Sequence, residues 1–162
     1  GCKKNSQGTI TYWKGYKLHL DVSECGIPLT AVVTGAHVHD SQVALPLEKL
    51  TERRVQHLYT IMDSAYDAPE IRSYSSFKGR QSLVERNPRR GVQRPGFDPA
   101  QRQRFKIRSV GERAYAHLKD YLIPSKLFVR GHRKVELRLL GGVVCLAALK
   151  ILQYFLLPVL QT

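Results

Sequence analysis

Phe105-Lys106-Ile107-Arg108-Ser109-Val110-Gly111-Glu112-Arg113-Ala114-Tyr115-Ala116-His117-Leu118-Lys119 is the stretch around which the rest of the chain is read. Counted from Phe105, the residues Arg108, Glu112 and Lys119 fall near one, two and four turns of an α-helix, so an aromatic, two cations and a carboxylate share one face. Well upstream, Asp63 ends an apolar, strand-like run over 55–62. A carboxylate at a strand end and another on a helix face suit the binding of hard metal ions, which take oxygen ligands. The pairing points to metal-dependent phosphoryl chemistry on nucleic acid.

Charge agrees with a polyanionic partner. The 26 Lys and Arg outnumber 13 Asp and Glu, a formal net charge of +13, and the pI is near 10.0. With 162 residues, 43% of them hydrophobic, the chain has the means for one ordinary domain with a proper core. Cys2, Cys25 and Cys145 are odd in number, widely spaced and form no Cys-x-x-Cys pair, so neither a disulfide framework nor a zinc ribbon is indicated and a reducing cytoplasm fits best. The start, Gly-Cys-Lys-Lys-Asn-Ser, lacks the apolar core of a signal peptide and reads as a cut. Leu139 to Leu149 is purely apolar, but Arg138 and Lys150 bound it short of the roughly 20 residues that span a bilayer. It reads as a buried helix, with no membrane partner.

Along the chain, 15–22 alternates in polarity, Ser23-Glu24-Cys25-Gly26 turns, and 28–34 is rich in β-formers, so 15–34 reads as a hairpin. Asp40 or Ser41 then caps a helix whose apolar positions are Val43, Leu45, Leu47 and Leu50, with Pro46 in its early turns. A strand over 55–63 ends in Asp63, at the carboxyl edge where open α/β sheets bind ligands. A short helix follows from Ser64, then a strand over 81–85, a loop crowded with Arg86, Arg89, Arg90 and Arg94, the Glu112 helix over about 98–121, and an apolar helix over about 134–156. The loop arginines, continued by Arg102, Arg104, Lys106 and Arg108, suit backbone phosphates.

This order of hairpin, helix, strand ending in Asp, short helix, strand and Glu-bearing helix resembles the ribonuclease H-like (retroviral-integrase-like) core of DDE transposases from bacterial insertion sequences. One insertion-sequence group carries the signature Tyr-x2-Arg-x3-Glu-x6-Lys, matched here by Phe105, Arg108, Glu112 and Lys119, with phenylalanine in place of tyrosine. Gly15-Tyr16-Lys17-Leu18-His19, Val38-His39-Asp40-Ser41 and Met62-Asp63-Ser64-Ala65-Tyr66 add to the likeness, which covers nearly the whole chain.

The resemblance implies an α/β fold with a mixed sheet flanked by helices, and 1–162 as part of one catalytic domain. It implies Asp63 as the second catalytic aspartate and Glu112 as the catalytic glutamate, both binding Mg²⁺ or Mn²⁺ in a two-ion site, with Arg108 and Lys119 contacting DNA. It implies metal-dependent cleavage and strand transfer of an insertion sequence, DNA ends and target DNA as partners, a homodimer on DNA and a place at the bacterial nucleoid in the cytoplasm. The family's first aspartate lies on a strand before the hairpin, and nothing acidic precedes Asp21. Asp21 itself has one strand after it where the family fold has two, and reads as a paired strand residue. The first strand and its metal ligand are therefore expected upstream of Gly1. A second class stays open: an inactive transposase remnant, or a basic nucleic-acid-binding module.

Blander readings stand beside these. Asp63 is placed to cap the helix after its strand, and Glu112 to pair with Arg108 one turn away. His37-x-His39-Asp40 has no second ligand group of comparable spacing and is not read as a metal site. Trp13, Tyr12 and Tyr16 among Lys3, Lys4, Lys14 and Lys17 read as strand-face aromatics rather than a base-stacking platform. Phe105 keeps the ring of the family's tyrosine and loses its hydroxyl, so packing survives and hydrogen bonding does not.

Overall fold

Polarity alternates along Tyr16–Val22 because its two faces meet different neighbours. In the computed structural model, which describes residues 1–4 (3 and 4 by backbone only), 7–12, 14–85, 96–124 and 126–157, this strand is β3 and pairs antiparallel with β4, Pro28–Gly35, from Tyr16 opposite Gly35 to Asp21 opposite Thr30. Gly26, at φ 77, makes the reversal, and its N–H donates to the Ser23 carbonyl at 2.8 Å. Leu18, Leu20 and Val22 pack with Ala31 against the helical core. Asp21 meets the helix α1, Asp40–Glu52, where the Thr51 hydroxyl donates to its carboxylate at 2.6 Å and lies 3.1 Å from the Thr30 hydroxyl. Asp21 is thus the paired strand residue its sequence position implies, and burial raises its carboxyl above the ordinary value.

Before β3, the strands β1 (Cys2–Lys4) and β2 (Ile10–Tyr12) form a small antiparallel pair not foreseen from the sequence. Beyond α1, β5 (Tyr59–Met62) leads through the single turn Ser64–Tyr66 to α2 (Pro69–Phe77) and on to β6 (Gln81–Val84), which pairs parallel with β5. The architecture is α/β, and among the described residues three two-stranded sheets stand where one mixed sheet is expected. The reason is topological, since among the described residues no strand bridges β3 and β5.

The buried face of α1 is Val43, Ala44, Glu48 and Thr51, while Leu50 is exposed, so the apolar positions alone misplace this helix. Its cap is His39, whose Nδ1 accepts from the Ser41 N–H; Asp40 is the first helical residue. Glu48 is buried because polar partners surround it: Thr60 and Ser75 donate to its Oε1 at 3.2 and 3.3 Å, and Arg80 lies 3.5 Å away. Arg80 also bonds Glu52 at 2.8 Å. Burial opposes ionisation of Glu52, but hydrogen bonds from Tyr74, Lys78 and Arg80 prevail and hold its carboxyl at about 2. A depressed carboxylate stabilises the fold above its ordinary 4.5, and that contribution is lost as pH falls through about 2. Urea unfolding between these pH values should show a shallower acid limb in Glu52→Gln than in the parent.

The last third is helical: α3 (Pro99–Phe105), α4 (Arg108–His117) ending in a π-turn over Leu118–Leu122, and α5 (His132–Ile151) prolonged over Leu152–Leu156. Ala114, Leu118, Val143 and Leu146 form a core between α4, α5 and the hairpin, with Leu122 and Ile123 against it. The 139–149 run is not simply buried. Val143 and Leu146 face inward, whereas Val144 and Cys145 face solvent. The helix over His132–Leu156 is long and apolar enough to cross a membrane by length and composition, and only 17% of its apolar window is buried. The loop arginines at 86, 89, 90 and 94, Trp13 and the side chains of Lys3 and Lys4 lie outside the described residues.

Candidate active site

The segment bearing the helix-face pattern begins at a strong cap. Asp98 accepts from the Gln101 N–H at 2.8 Å while the Gln101 side chain reaches back to the Asp98 N–H, a capping box preceding Pro99 at the first turn. Between α3 and α4 the hydrogen bonds tighten to three-residue steps, Lys106 to Gln103, Ile107 to Arg104 and Val110 to Ile107, so helical backbone continues across the junction. Phe105 packs on Phe97, ring centroids 4.9 Å apart, and the Arg108 guanidinium lies 5.6 Å from the Phe105 centroid. Arg108 then bonds Glu112 at 2.8 Å on an exposed face. Phe105, Arg108 and Glu112 are one chain of contacts, and the ring at 105 supports the arginine without a hydroxyl.

Asp63 follows β5 in extended backbone and caps the Ser64–Tyr66 turn, its Oδ1 accepting from the Ala65 N–H at 2.9 Å. Both bland readings therefore describe real contacts. The cap also directs the chain so that Tyr66 enters a cleft of about 340 Å³ along β3.

Lys17, His19, Asp40, Tyr66, Tyr115 and Lys119 supply the polar lining of that cleft, over a floor that includes Leu18, Leu118 and Ile123. Lys17 bridges the Asp40 carboxylate and the Val38 carbonyl, each at 2.9 Å. The Tyr115 hydroxyl donates to the Leu18 carbonyl at 3.0 Å, on the edge of β3 away from β4. Burial, with the charges of Asp40, Asp21 and Asp63 added, pushes Tyr115 up to about 12. Tyr66 is raised as well, by burial first and then by Tyr115, Asp40 and Asp63. Both phenols therefore keep their protons at neutral pH. His19 bonds the Thr34 hydroxyl at 2.9 Å, and burial lowers its pKa.

Lys119 lines the cleft with Tyr66, three residues beyond Asp63, whereas Asp63 itself is not among the lining residues. Glu112 lies one turn before Tyr115 on the same helix, on the more exposed part of that face, and Arg108 stands outside the cleft lining. Among the described residues no group of three or more His, Cys, Asp or Glu is placed to hold a metal ion, the His37, His39 and Asp40 set included. On their own, these side chains do not fit a closed metal site. Tyr115 and Lys17 are cleft residues that the helix-face pattern did not single out. Tyr115 lies at i−4 from Lys119, and that spacing was the available signal.

A mixed α/β fold thus carries a cleft lined by Lys17, Tyr66, Tyr115 and Lys119. A family model described as the transposase DDE domain matches residues 2–148, and the chain belongs to that family. No curated protein and no solved structure matches it.

Proposed function

We propose that the domain carries out metal-dependent DNA strand cleavage and strand transfer for an insertion sequence, with Asp63 and Glu112 as two of its metal ligands. What supports this reading is membership of the DDE transposase family, together with a cleft in which Lys119 of the signature helix lies beside Tyr66, three residues beyond Asp63. The ion, Mg²⁺ or Mn²⁺, would supply charge stabilisation at the attacked phosphate and an activated oxygen nucleophile. Lys17 and Lys119 would draw the phosphate backbone to the cleft, and the protonated Tyr66 would offer a donor to it. Arg108, braced between Phe105 and Glu112, would hold DNA farther along the helix.

A ribonuclease H-like arrangement is part of the proposal, and the geometry accommodates it. The outer edge of β3, where Tyr115 meets the Leu18 carbonyl, borders the cleft, and a strand paired there would bring a further aspartate beside Asp63. DNA binding without cleavage is the second reading, favoured by the missing third carboxylate among the described residues.

Incubation of insertion-sequence end DNA with the protein and Mg²⁺ or Mn²⁺ separates the two. Metal-dependent strand scission supports the enzyme; saturable binding with intact strands supports the binding module. In either case Lys119→Ala is expected to weaken DNA binding and to lower the slope of log affinity against log salt by about 1, as one phosphate contact is lost. Fluorescence anisotropy across a salt series checks it, and an unchanged slope takes Lys119 out of the interface.

A further inference from the structure

We infer that Tyr115 is the positioning residue of the signature helix: its hydroxyl, committed to the Leu18 carbonyl, sets where Lys119 stands in the cleft. The inference deepens the proposed function and rests on its DNA-binding part alone, so it holds whether or not strands are cut. Arg108, Glu112, Tyr115 and Lys119 follow one another at steps of four, three and four residues, which places them along one face of the helical segment. Glu112 and Lys119 are exposed on that face, and Tyr115, half-buried between them, reaches β3 with its hydroxyl. Tyr115 and Lys119 both line the cleft, as does Leu18, whose carbonyl receives the bond.

Apolar packing alone does not fix this face. Ala114 and Leu118 hold α4 to the core, but hydrophobic contact is non-directional and tolerates a small rotation or slide of the helix. A hydrogen bond has a direction, and 3.0 Å between the Tyr115 oxygen and the Leu18 carbonyl oxygen sets both the rotation of α4 and its height along β3. The phenol, pushed up to about 12 chiefly by burial, keeps the proton that this bond needs. The anchor also falls where the backbone changes. After His117, α4 gives way to the π-turn over Leu118–Leu122, closed by the Ile123 N–H on the Leu118 carbonyl at 2.7 Å. Five-residue bonding breaks the 3.6-residue register, so Lys119 takes its bearing from the last fixed point before the turn, which is Tyr115.

A double-mutant cycle on the affinity of the whole chain for a fluorescein-labelled DNA duplex tests this, with Lys119→Ala placed in the parent, in Tyr115→Phe and in Tyr115→Leu. Tyr115→Phe keeps the ring and deletes the hydroxyl, whereas Tyr115→Leu deletes both. Lys119→Ala is expected to cost at least about threefold less affinity in either Tyr115 background than in the parent. Thermal unfolding should separate the two backgrounds, Tyr115→Leu being the less stable because it also gives up the ring's packing. Coupling therefore follows the hydroxyl while stability follows the ring. A purely structural role predicts instead a coupling that grows with the loss of stability. Arg104→Ala, eleven residues away on α3, should cost the same in all three backgrounds. Far-UV circular dichroism establishes that each variant keeps its helices. Equal costs of Lys119→Ala in the parent and in Tyr115→Phe overturn the inference, as does a coupling confined to Tyr115→Leu or shared by Arg104. A parent chain that leaves the duplex unbound overturns the DNA-binding reading and this inference together, an outcome distinct from binding without coupling.

Discussion

Asp63→Ala and Glu112→Ala are each expected to reduce strand cleavage of insertion-sequence end DNA by 10²-fold or more, on the order of the several kcal/mol that a correctly held cation contributes to phosphoryl transfer. DNA affinity should stay within about threefold in both. Removing one carboxylate from a chain of net charge +13 takes away no phosphate contact, and binding is governed by those contacts. The structural roles of the two residues are small enough to be separated from the chemistry. Glu112 makes an exposed ion pair with Arg108, worth about 0.3–0.5 kcal/mol at helix i,i+4 spacing. Asp63 caps a single turn through Oδ1, and Asp63→Asn keeps an acceptor there while removing the charge. Loss of cleavage in Asp63→Asn with unchanged thermal stability would attribute the effect to the charge. Cleavage at the parent rate in any of these variants would remove that residue from the metal site.

Leu146→Ala is expected to destabilise the domain by about 2–5 kcal/mol, the largest stability effect of any single substitution considered. Leu146 is 0% exposed and belongs to the cluster with Ala114, Leu118 and Val143 that ties α4 to α5 and to the hairpin. The cavity it leaves cannot be refilled easily, because Gly142 on the same helix already lies against Ile123: a Cβ there would come within 2.6 Å of the Ile123 side chain. Urea unfolding should show a lower midpoint with an unchanged slope. Phe128→Ala, at a side chain 93% exposed, should fall within about 0.5 kcal/mol of the parent. The core variant also bears on the cleft, since Leu118 lies between Tyr115 and Lys119 in sequence and forms part of the cleft floor. A Leu146→Ala protein that remains folded should bind DNA more weakly than its charge predicts.

The parts of the fold that could be read from the sequence are those set by local period. Alternation over 16–22 and the Gly26 turn mark the hairpin, and the run before Asp63 marks a strand whose regular part proved to be Tyr59–Met62. The 98–121 segment is helical, and the capping box at Asp98 and Gln101 shows why it starts where it does. α1 resisted the same reading because its buried face is partly polar. Glu48 and Thr51 are inside, with Thr60, Ser75 and Arg80 at Glu48 Oε1 and Asp21 at Thr51, residues that no hydrophobic pattern selects. The β1–β2 pair was missed because three-residue strands carry too little alternation to register.

By itself, the sequence determined the helical face that carries Phe105, Arg108, Glu112 and Lys119, the strand end at Asp63 and the strong positive charge, since each depends on residue type and on spacing within a few turns. Only the tertiary structure decided which of these meet. It drew Lys119 into a cleft with Lys17 and Tyr66, turned Tyr115 toward the edge of β3 across 97 residues of chain, committed Asp21 to Thr51, and left one face of α5 in solvent. Such pairings depend on how helices and sheets pack, and packing couples residues far apart in the chain, where no local period reaches.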